Sequence, residues 1–418
     1  MATLAGYGEA DITPPVPYDL NGFAAREQPC LGVAAPVLSR VLVLRHGRRS
    51  ALVAVCDLLG FTPADSATLE AALAAAADVP VRQVLLACTH THSGPMSMPL
   101  GMVGRFGRSY LTRVRAGLAR AARTAVADLA PVTATRFGTT SISGMAQFRC
   151  AQDEPGRGVG AWPGQLAALR LERPTGPITL VHAGIHPYLL SWKRRLVHPD
   201  FPGPLCDAVA RRTGGRALFL PGCGADVQPE GAMSTRLAAV TQFGARLAMA
   251  AEAAVAGGRP VALSPLRGRR LRPLVAFTHV PASRPAPAGE SAVRNLAAAA
   301  GKIAENHRRW LSGCAAGRLP RTGAFPVQVL HLGDLTLVGL AAELFHDTGV
   351  DLCRAMDGER TLVIAHAGGN VGYLPRPFSY RHRTYESSLA HEWYGTAGAL
   401  ARGTEARLRR AIVRAARR

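Results

Sequence analysis

Two kinds of run alternate along the chain. Short, almost unbroken apolar stretches cover 41–44, 51–56, 84–88, 166–171, 178–182, 217–220, 327–332, 335–340 and 362–366. Runs of this length predict strands. Between them lie longer Ala/Leu/Arg-rich stretches, and these predict helices over 66–76, 109–129, 235–256, 291–312, 345–356 and 391–414. The alternation is that of an α/β protein. Some strands follow one another without a helix; 327–332 and 335–340, joined by Gly333-Asp334, read as a hairpin. The expected architecture is therefore a mixed sheet, or two stacked mixed sheets, flanked by helices. A purely parallel sheet fits less well. No fixed-period repeat is present. A Pro/Ala-rich linker at 281–289 precedes the basic helix 291–312, which reads as an inserted or peripheral element. The expectation is one domain over 1–418 with an insert at about 281–321.

Composition narrows the class. The 418 residues are 48% hydrophobic and 18% charged, ample for a large core. No apolar run is long enough to span a bilayer, so membrane insertion is not expected. The first nine residues lack a basic segment followed by an apolar one, which predicts a cytoplasmic protein. The formal charge is +21, almost all of it arginine; Lys193 and Lys302 are the only lysines. The arginines are scattered and no motif interleaves them with aromatics, so no nucleic-acid partner is expected. The densest clusters, 267–272 and 407–418, read as solvated faces, with an acidic or phosphorylated partner as the alternative. Eight cysteines include no Cys-x-x-Cys pair, which argues against a thiolate zinc knuckle. Cys56 and Cys88 read as core thiols in a reducing compartment.

Chemistry-bearing residues fall just past the ends of apolar strands. After 84–88 comes Thr89-His90-Thr91-His92-Ser93-Gly94-Pro95. Residues two apart share a strand face, so both imidazoles emerge together; they form a metal-binding pair, or one is buried and the other solvated. After 178–182 comes Gly184-Ile185-His186-Pro187, and twelve residues further His198-Pro199-Asp200-Phe201-Pro202-Gly203, a turn that opens a helix. The segment 217–220 leads into Pro221-Gly222-Cys223-Gly224-Ala225-Asp226-Val227-Gln228-Pro229, where Asp226 and Gln228 supply polar groups or the loop is purely structural. Glu343 lies between apolar flanks; such a carboxylate is paired, metal-bound or placed at a helix N-terminus. Past 362–366 lie Gly372-Tyr373 and Tyr385-Glu386. Two His, one Glu and a further oxygen suit a zinc site that keeps a position for water.

The order of these motifs resembles the catalytic domain of the neutral/alkaline (non-lysosomal) ceramidases, zinc amidohydrolases that cleave an N-acyl bond. The resemblance runs from Gly6-Tyr7-Gly8-Glu9-Ala10-Asp11-Ile12-Thr13-Pro14 to Tyr385-Glu386 and leaves 281–321 uncovered. The heptad Thr89 to Pro95 carries it most strongly, together with the pairing of Gly372-Tyr373 and Tyr385-Glu386. It implies His90, His186, Glu343 and Tyr373 as ligands of Zn2+, with His92 beside the metal. It implies that Arg149, in Gln147-Phe148-Arg149-Cys150, helps hold the substrate, and that Tyr385 offers a phenol to the developing oxyanion. Asp57, just past 51–56, reads as the carboxylate that orients a ligand histidine.

Two departures bear on activity. Where the ceramidases carry a serine of the catalytic machinery, this chain has Gln228, whose amide has no readily lost proton. The family's additional C-terminal β-sandwich is expected to be absent, because the chain ends after 391–414. The reading that follows is a zinc-dependent hydrolase of a C–N amide bond in a small N-acyl molecule, with metal-activated water as nucleophile and a place in a small-molecule or secondary-metabolite pathway. The alternatives are cyclisation or acyl transfer in the same site, and a non-catalytic binding protein with a basic surface. The oligomeric state is open.

Overall fold

The computed structural model describes residues 2–101, 103–149, 162–278 and 299–417. Three mixed sheets form the frame. The first orders its strands Val84–Cys88, Arg49–Cys56, Leu38–His46, Thr3–Asp11 and Ala130–Pro131. The second runs Arg216–Pro221, Ile178–Ala183, Gln165–Glu172, Ala134–Ser141. The third runs Leu266–Leu271, Val327–Leu332, Leu335–Leu340, Thr361–Ile364. The mixed sheets with helices outside are as the alternation predicts, and there are three principal ones rather than two.

Side-chain alternation explains the arrangement. In the first sheet Leu42, Leu44, Val53, Val55, Leu85 and Ala87 point one way, into a cluster shared with Leu169, Leu180, Leu218 and Leu220 of the second sheet and Leu330, Leu335, Leu337 and Ile364 of the third. Their neighbours Val41, Val43, Leu52, Ala54, Val84 and Leu86 point the other way, onto the helices Pro63–Ala77 and Arg108–Ala127. The second sheet is backed by Pro202–Thr213 and Leu237–Ala256, and the third by His346–Ala355 and Thr404–Ala416. Burial on both faces is why Val84–Cys88 and Leu335–Leu340 read as solid apolar runs.

Each sheet contains one parallel pair: Arg49–Cys56 with Val84–Cys88, Ile178–Ala183 with Arg216–Pro221, and Leu335–Leu340 with Thr361–Ile364. The segments carrying His90, His186, Asp226, Glu343 and Tyr373 each follow the carboxyl end of one of these six strands, whereas His198, Arg149 and Tyr385 lie elsewhere. Glycine admits the backing helices to two of the sheets. A Cβ on Gly8 would stand 2.1 Å from the Ala121 carbonyl oxygen, and one on Gly138 would stand 2.0 Å from that of Ala254.

The helix expected over 391–414 is interrupted. Ala390–Trp393 and Thr404–Ala416 are separate helices, and Gly395 and Gly403 between them take left-handed φ of 67° and 78°. The helix expected over 291–312 is described from Ala300 to Ala315; its first turns and the linker 281–289 lie outside the described residues. Trp310 of this helix is buried and donates its indole N–H to the Thr396 carbonyl at 2.8 Å. The arginine cluster 267–272 is mostly a strand, Leu266–Leu271, paired with Val327–Leu332. Among the described residues no helix is long and apolar enough to cross a membrane.

The close approach at Gly8 gives a stability prediction. Gly8→Ala forces the strand Thr3–Asp11 away from the helix Arg108–Ala127 and is expected to destabilise the fold by about 1–3 kcal/mol. The urea midpoint measures this; an unchanged midpoint would show that the two elements separate without cost.

Candidate metal centre

His90 follows Val84–Cys88 in a left-handed backbone conformation (φ 71°) and is buried. Its N–H donates to Leu58 O at 2.8 Å, and its Nδ1 lies 2.7 Å from Leu59 O. A carbonyl only accepts, so Nδ1 carries the proton and the Nε2 lone pair faces inward. Both acceptors lie just past the neighbouring parallel strand, so the strand pair that positions His90 also selects its tautomer. His186 repeats the device in the second sheet. Its Nδ1 lies 3.2 Å from Gly224 O, beyond the strand Arg216–Pro221, and its N–H donates to Val227 O at 3.0 Å. His186 Nε2 stands 3.0 Å from His92 Nε2. His92 is held by its N–H to Pro187 O at 3.2 Å and by Arg26, whose Nη1 donates to His92 O at 3.0 Å.

The third sheet supplies a carboxylate. Glu343 pairs in parallel register with Tyr373, and its Oε2 lies 3.5 Å from His90 Nε2. Its Oε1 accepts the Tyr394 hydroxyl, whereas buried Oε2 has no hydrogen-bond partner among the described residues. Burial disfavours the Glu343 carboxylate, but the adjacent His90 ring, the Tyr394 hydroxyl and Arg149 hold it below the usual range. Burial pushes the pKa values of His92 and His186 far down, and neighbouring histidines and Arg149 add to the effect. Neutral imidazole is the ligating form. The ligand nitrogens of His90, His92 and His186 all lie within 4.8 Å of one another, as a shared metal ion requires. The clustered lone pairs and the unpaired Glu343 oxygen fit such an ion.

The other residues singled out by the sequence lie at graded distances from this cluster. Tyr373 accepts Arg149 Nη2 at 3.0 Å, and the same nitrogen donates to Glu386 Oε1 at 3.0 Å. Glu386 is fixed in turn by Thr384 Oγ1 at 2.6 Å. Arg149 is anchored through its own N–H to Asp226 O at 2.8 Å. Tyr385 packs edge-on to Tyr373 with centroids 5.9 Å apart, and burial pushes both phenols well up. Gln228 accepts the Tyr188 hydroxyl at 3.3 Å; Tyr188 lines the cavity, whereas Gln228 does not.

Asp57 is a correction. Its carboxylate accepts Arg40 Nη1 at 2.7 Å and Leu38 N–H at 3.0 Å, and backbone carbonyls take the place expected for it at the histidines. Burial makes Arg40 its necessary partner, so Asp57 ties two strands together. His198 and Asp200 form the expected turn before a helix. Asp200 N–H donates to His198 Nδ1 at 2.9 Å, and the Asp200 carboxylate accepts the N–H groups of Leu189, Leu190 and Phe201.

Two members of the site were missed. His366 stacks on His90, with centroids 3.9 Å apart and planes 3° from parallel. It sits two residues past Thr361–Ile364, so the strand-end pattern was a usable signal. Tyr394 was hidden inside the long helix expected over 391–414.

His90, His92 and Glu343 line a cavity of about 640 Å³, counting its open mouth; His186, against His92, is not among the lining residues. Phe23, Ala24, Leu59, Leu100, Val103 and Trp393 give it apolar surface, and Arg149, Tyr188, Tyr373, Tyr385 and Tyr394 line it as well.

Two solved structures share this architecture. A neutral ceramidase from Pseudomonas aeruginosa superposes with a TM-score of 0.77 at 18% identity, over 99% of this chain and 74% of that one. A ceramidase complexed with C2 gives 0.76 at 19% identity, with the same coverage of both chains. The fold is neutral ceramidase-like. At this identity the likeness concerns the fold alone. No protein-family profile and no curated protein sequence matches the chain.

The turn at His198 gives a pH prediction. Burial lowers the His198 pKa to about 4, so the unfolded chain binds its proton first and this contribution to stability is lost as pH falls from about 6.5 towards 4. Asp200 is raised by burial to about 6 and works in the opposite sense, favouring the fold as pH falls below that value. At this turn the two contributions oppose each other, alongside those of other buried histidines such as His182 that the variant leaves unchanged. His198→Gln is expected to lose less stability than the parent between pH 7 and pH 4.5, by at most about 3 kcal/mol. Urea midpoints at the two pH values test this, and identical pH slopes would refute it.

Proposed function

We propose that the protein is a zinc-dependent hydrolase that cleaves the C–N amide bond of a small N-acyl molecule. The observation that carries this reading is the convergence of three imidazoles, those of His90 and His186 buried, and a Glu343 oxygen without a hydrogen bond, beside a half-apolar cavity lined by His90, His92 and Glu343. The ceramidase fold of the two solved neighbours supports it, since both bear the name of an amide-cleaving enzyme.

In this reading His90, His186 and Glu343 hold the metal, with Tyr373, beside Glu343 in the strand register, completing the set. A bound zinc ion would supply Lewis acidity at the amide carbonyl and a lowered pKa for water. His92, neutral at pH 7 and 3.0 Å from His186, accepts the proton released as water adds and returns it to the departing amine. Tyr385 keeps its phenol protonated and donates it to the developing oxyanion. Arg149, fixed by Glu386, binds the polar part of the substrate, while the wall of Leu59, Leu100, Val103 and Trp393 takes the acyl group. Water provides the nucleophile without a serine at position 228. The products are a carboxylic acid and an amine.

Purified protein is expected to contain stoichiometric zinc by elemental analysis, with the metal lost in His90→Ala and in His186→Ala. Hydrolysis of one or more members of a panel of N-acyl amides should stop on chelation and return with zinc. Protein that neither holds zinc nor changes in stability in both variants would falsify the proposal. For the active substrate, Tyr385→Phe should lower kcat by about 10- to 1000-fold with KM little changed. Gln228→Ser should change kcat/KM less than about threefold; a large gain would point instead to a serine-dependent route.

A further inference from the structure

The carboxyl ends of the parallel strands carry the metal centre, and the amino ends of two of the three pairs carry a different surface. Alternation along Leu266–Leu271 divides its arginines. Arg270 turns inward and pairs with Glu70 at 2.7 Å, while Arg267 and Arg269 project from the opposite face and are exposed. Gly268 allows this strand to lie against the turn Val81–Gln83, since a Cβ there would stand 2.1 Å from Arg82 O. The contact brings Arg82 beside Arg267. The hairpin before Arg49–Cys56 adds Arg48 and Arg49, and the end of the last helix adds Arg417. Together these six arginines line a groove of about 1360 Å³, counting its open mouth, with His331 in its wall and no Asp or Glu among its lining residues. Among the described residues the side chains of Arg48, Arg49, Arg82, Arg267 and Arg417 make no ion pair. His331, opposite Arg267 in the strand register, has its pKa lowered by burial and by the fields of Arg267 and Arg269.

We propose that this groove binds an anion carrying two or more phosphate groups. Guanidinium forks match phosphate oxygens bidentately, and several from separate elements aimed into one concavity give a directed site. Without an anion, Arg48, Arg49, Arg82, Arg267 and Arg417 concentrate like charge with no ion-pair partner among the described residues. The concave shape favours a discrete polyphosphate over a flat bilayer face. The strand Arg49–Cys56 spans about 25 Å, so a ligand here lies remote from the metal centre, and the inference does not rest on the hydrolase reading.

The test is calorimetric titration of the full chain with sodium tripolyphosphate at low and high salt. The expected result is saturable one-to-one binding that weakens with salt. Arg82→Glu with Arg267→Glu should weaken it at least about tenfold. Arg49→Gln with Arg417→Gln, in other elements, should weaken it at least about threefold. Arg115→Glu with Arg123→Glu, an equal charge change on the exposed face of Arg108–Ala127, should change it less than about twofold. Absence of saturable binding, or an equal loss in the last variant, overturns the proposal. Co-sedimentation with phosphatidic acid vesicles and titration with duplex DNA complete the test. Binding of either through the same arginines without tripolyphosphate binding also overturns it.

Discussion

The architecture depends on one apolar core shared by three sheets. Each sheet turns its alternate side chains onto the others, so Leu85, Leu180 and Leu337 belong to a single cluster although they stand in different sheets. Each sheet also holds one parallel strand pair, and packing their middles together brings their carboxyl ends to one place. The loops that leave those ends carry His90, His186 and Glu343. The cluster is a product of core packing, and no local motif contains it.

The same packing sets the electrostatics. His92 and His186, at the edge of a dry core, cannot easily bear charge, and neighbouring positive groups oppose it further. The backbone removes the remaining freedom, because the Leu59 and Gly224 carbonyls fix the Nδ1 proton on His90 and His186. Both carbonyls lie beyond the partner strand of a parallel pair. Hydrogen-bond direction, tautomer and ring orientation thus follow from strand order.

Much of the fold was legible in the sequence. Val84–Cys88, Val327–Leu332 and Leu335–Leu340 have the predicted limits, because each is a mostly apolar run ended by polar or turn residues. The strand-end pattern pointed to the segments that carry His90, His186, Glu343 and Tyr373. What escaped depended on partners distant in sequence. Two-sided burial does not say how many sheets provide the cover, so the third sheet was not visible. Asp57 has the address of a metal-site carboxylate, but it meets Arg40 across the sheet. Tyr394 is masked by the helical pattern of 391–414, which the left-handed Gly395 and Gly403 break, and the strand Leu266–Leu271 has the composition of a solvated run because its arginines alternate within a paired strand.

His90 and His366 stack on one another, and both hold left-handed backbone angles, φ 71° and 53°. An L-residue gives up about 1–2 kcal/mol in that region, which glycine or asparagine would largely recover. Selection for stability alone would therefore drift towards small residues at both positions. Two bulky rings kept on unfavourable backbone amount to a standing debt of the fold to its site, and variants that relieve it should be hardier proteins with an emptier centre.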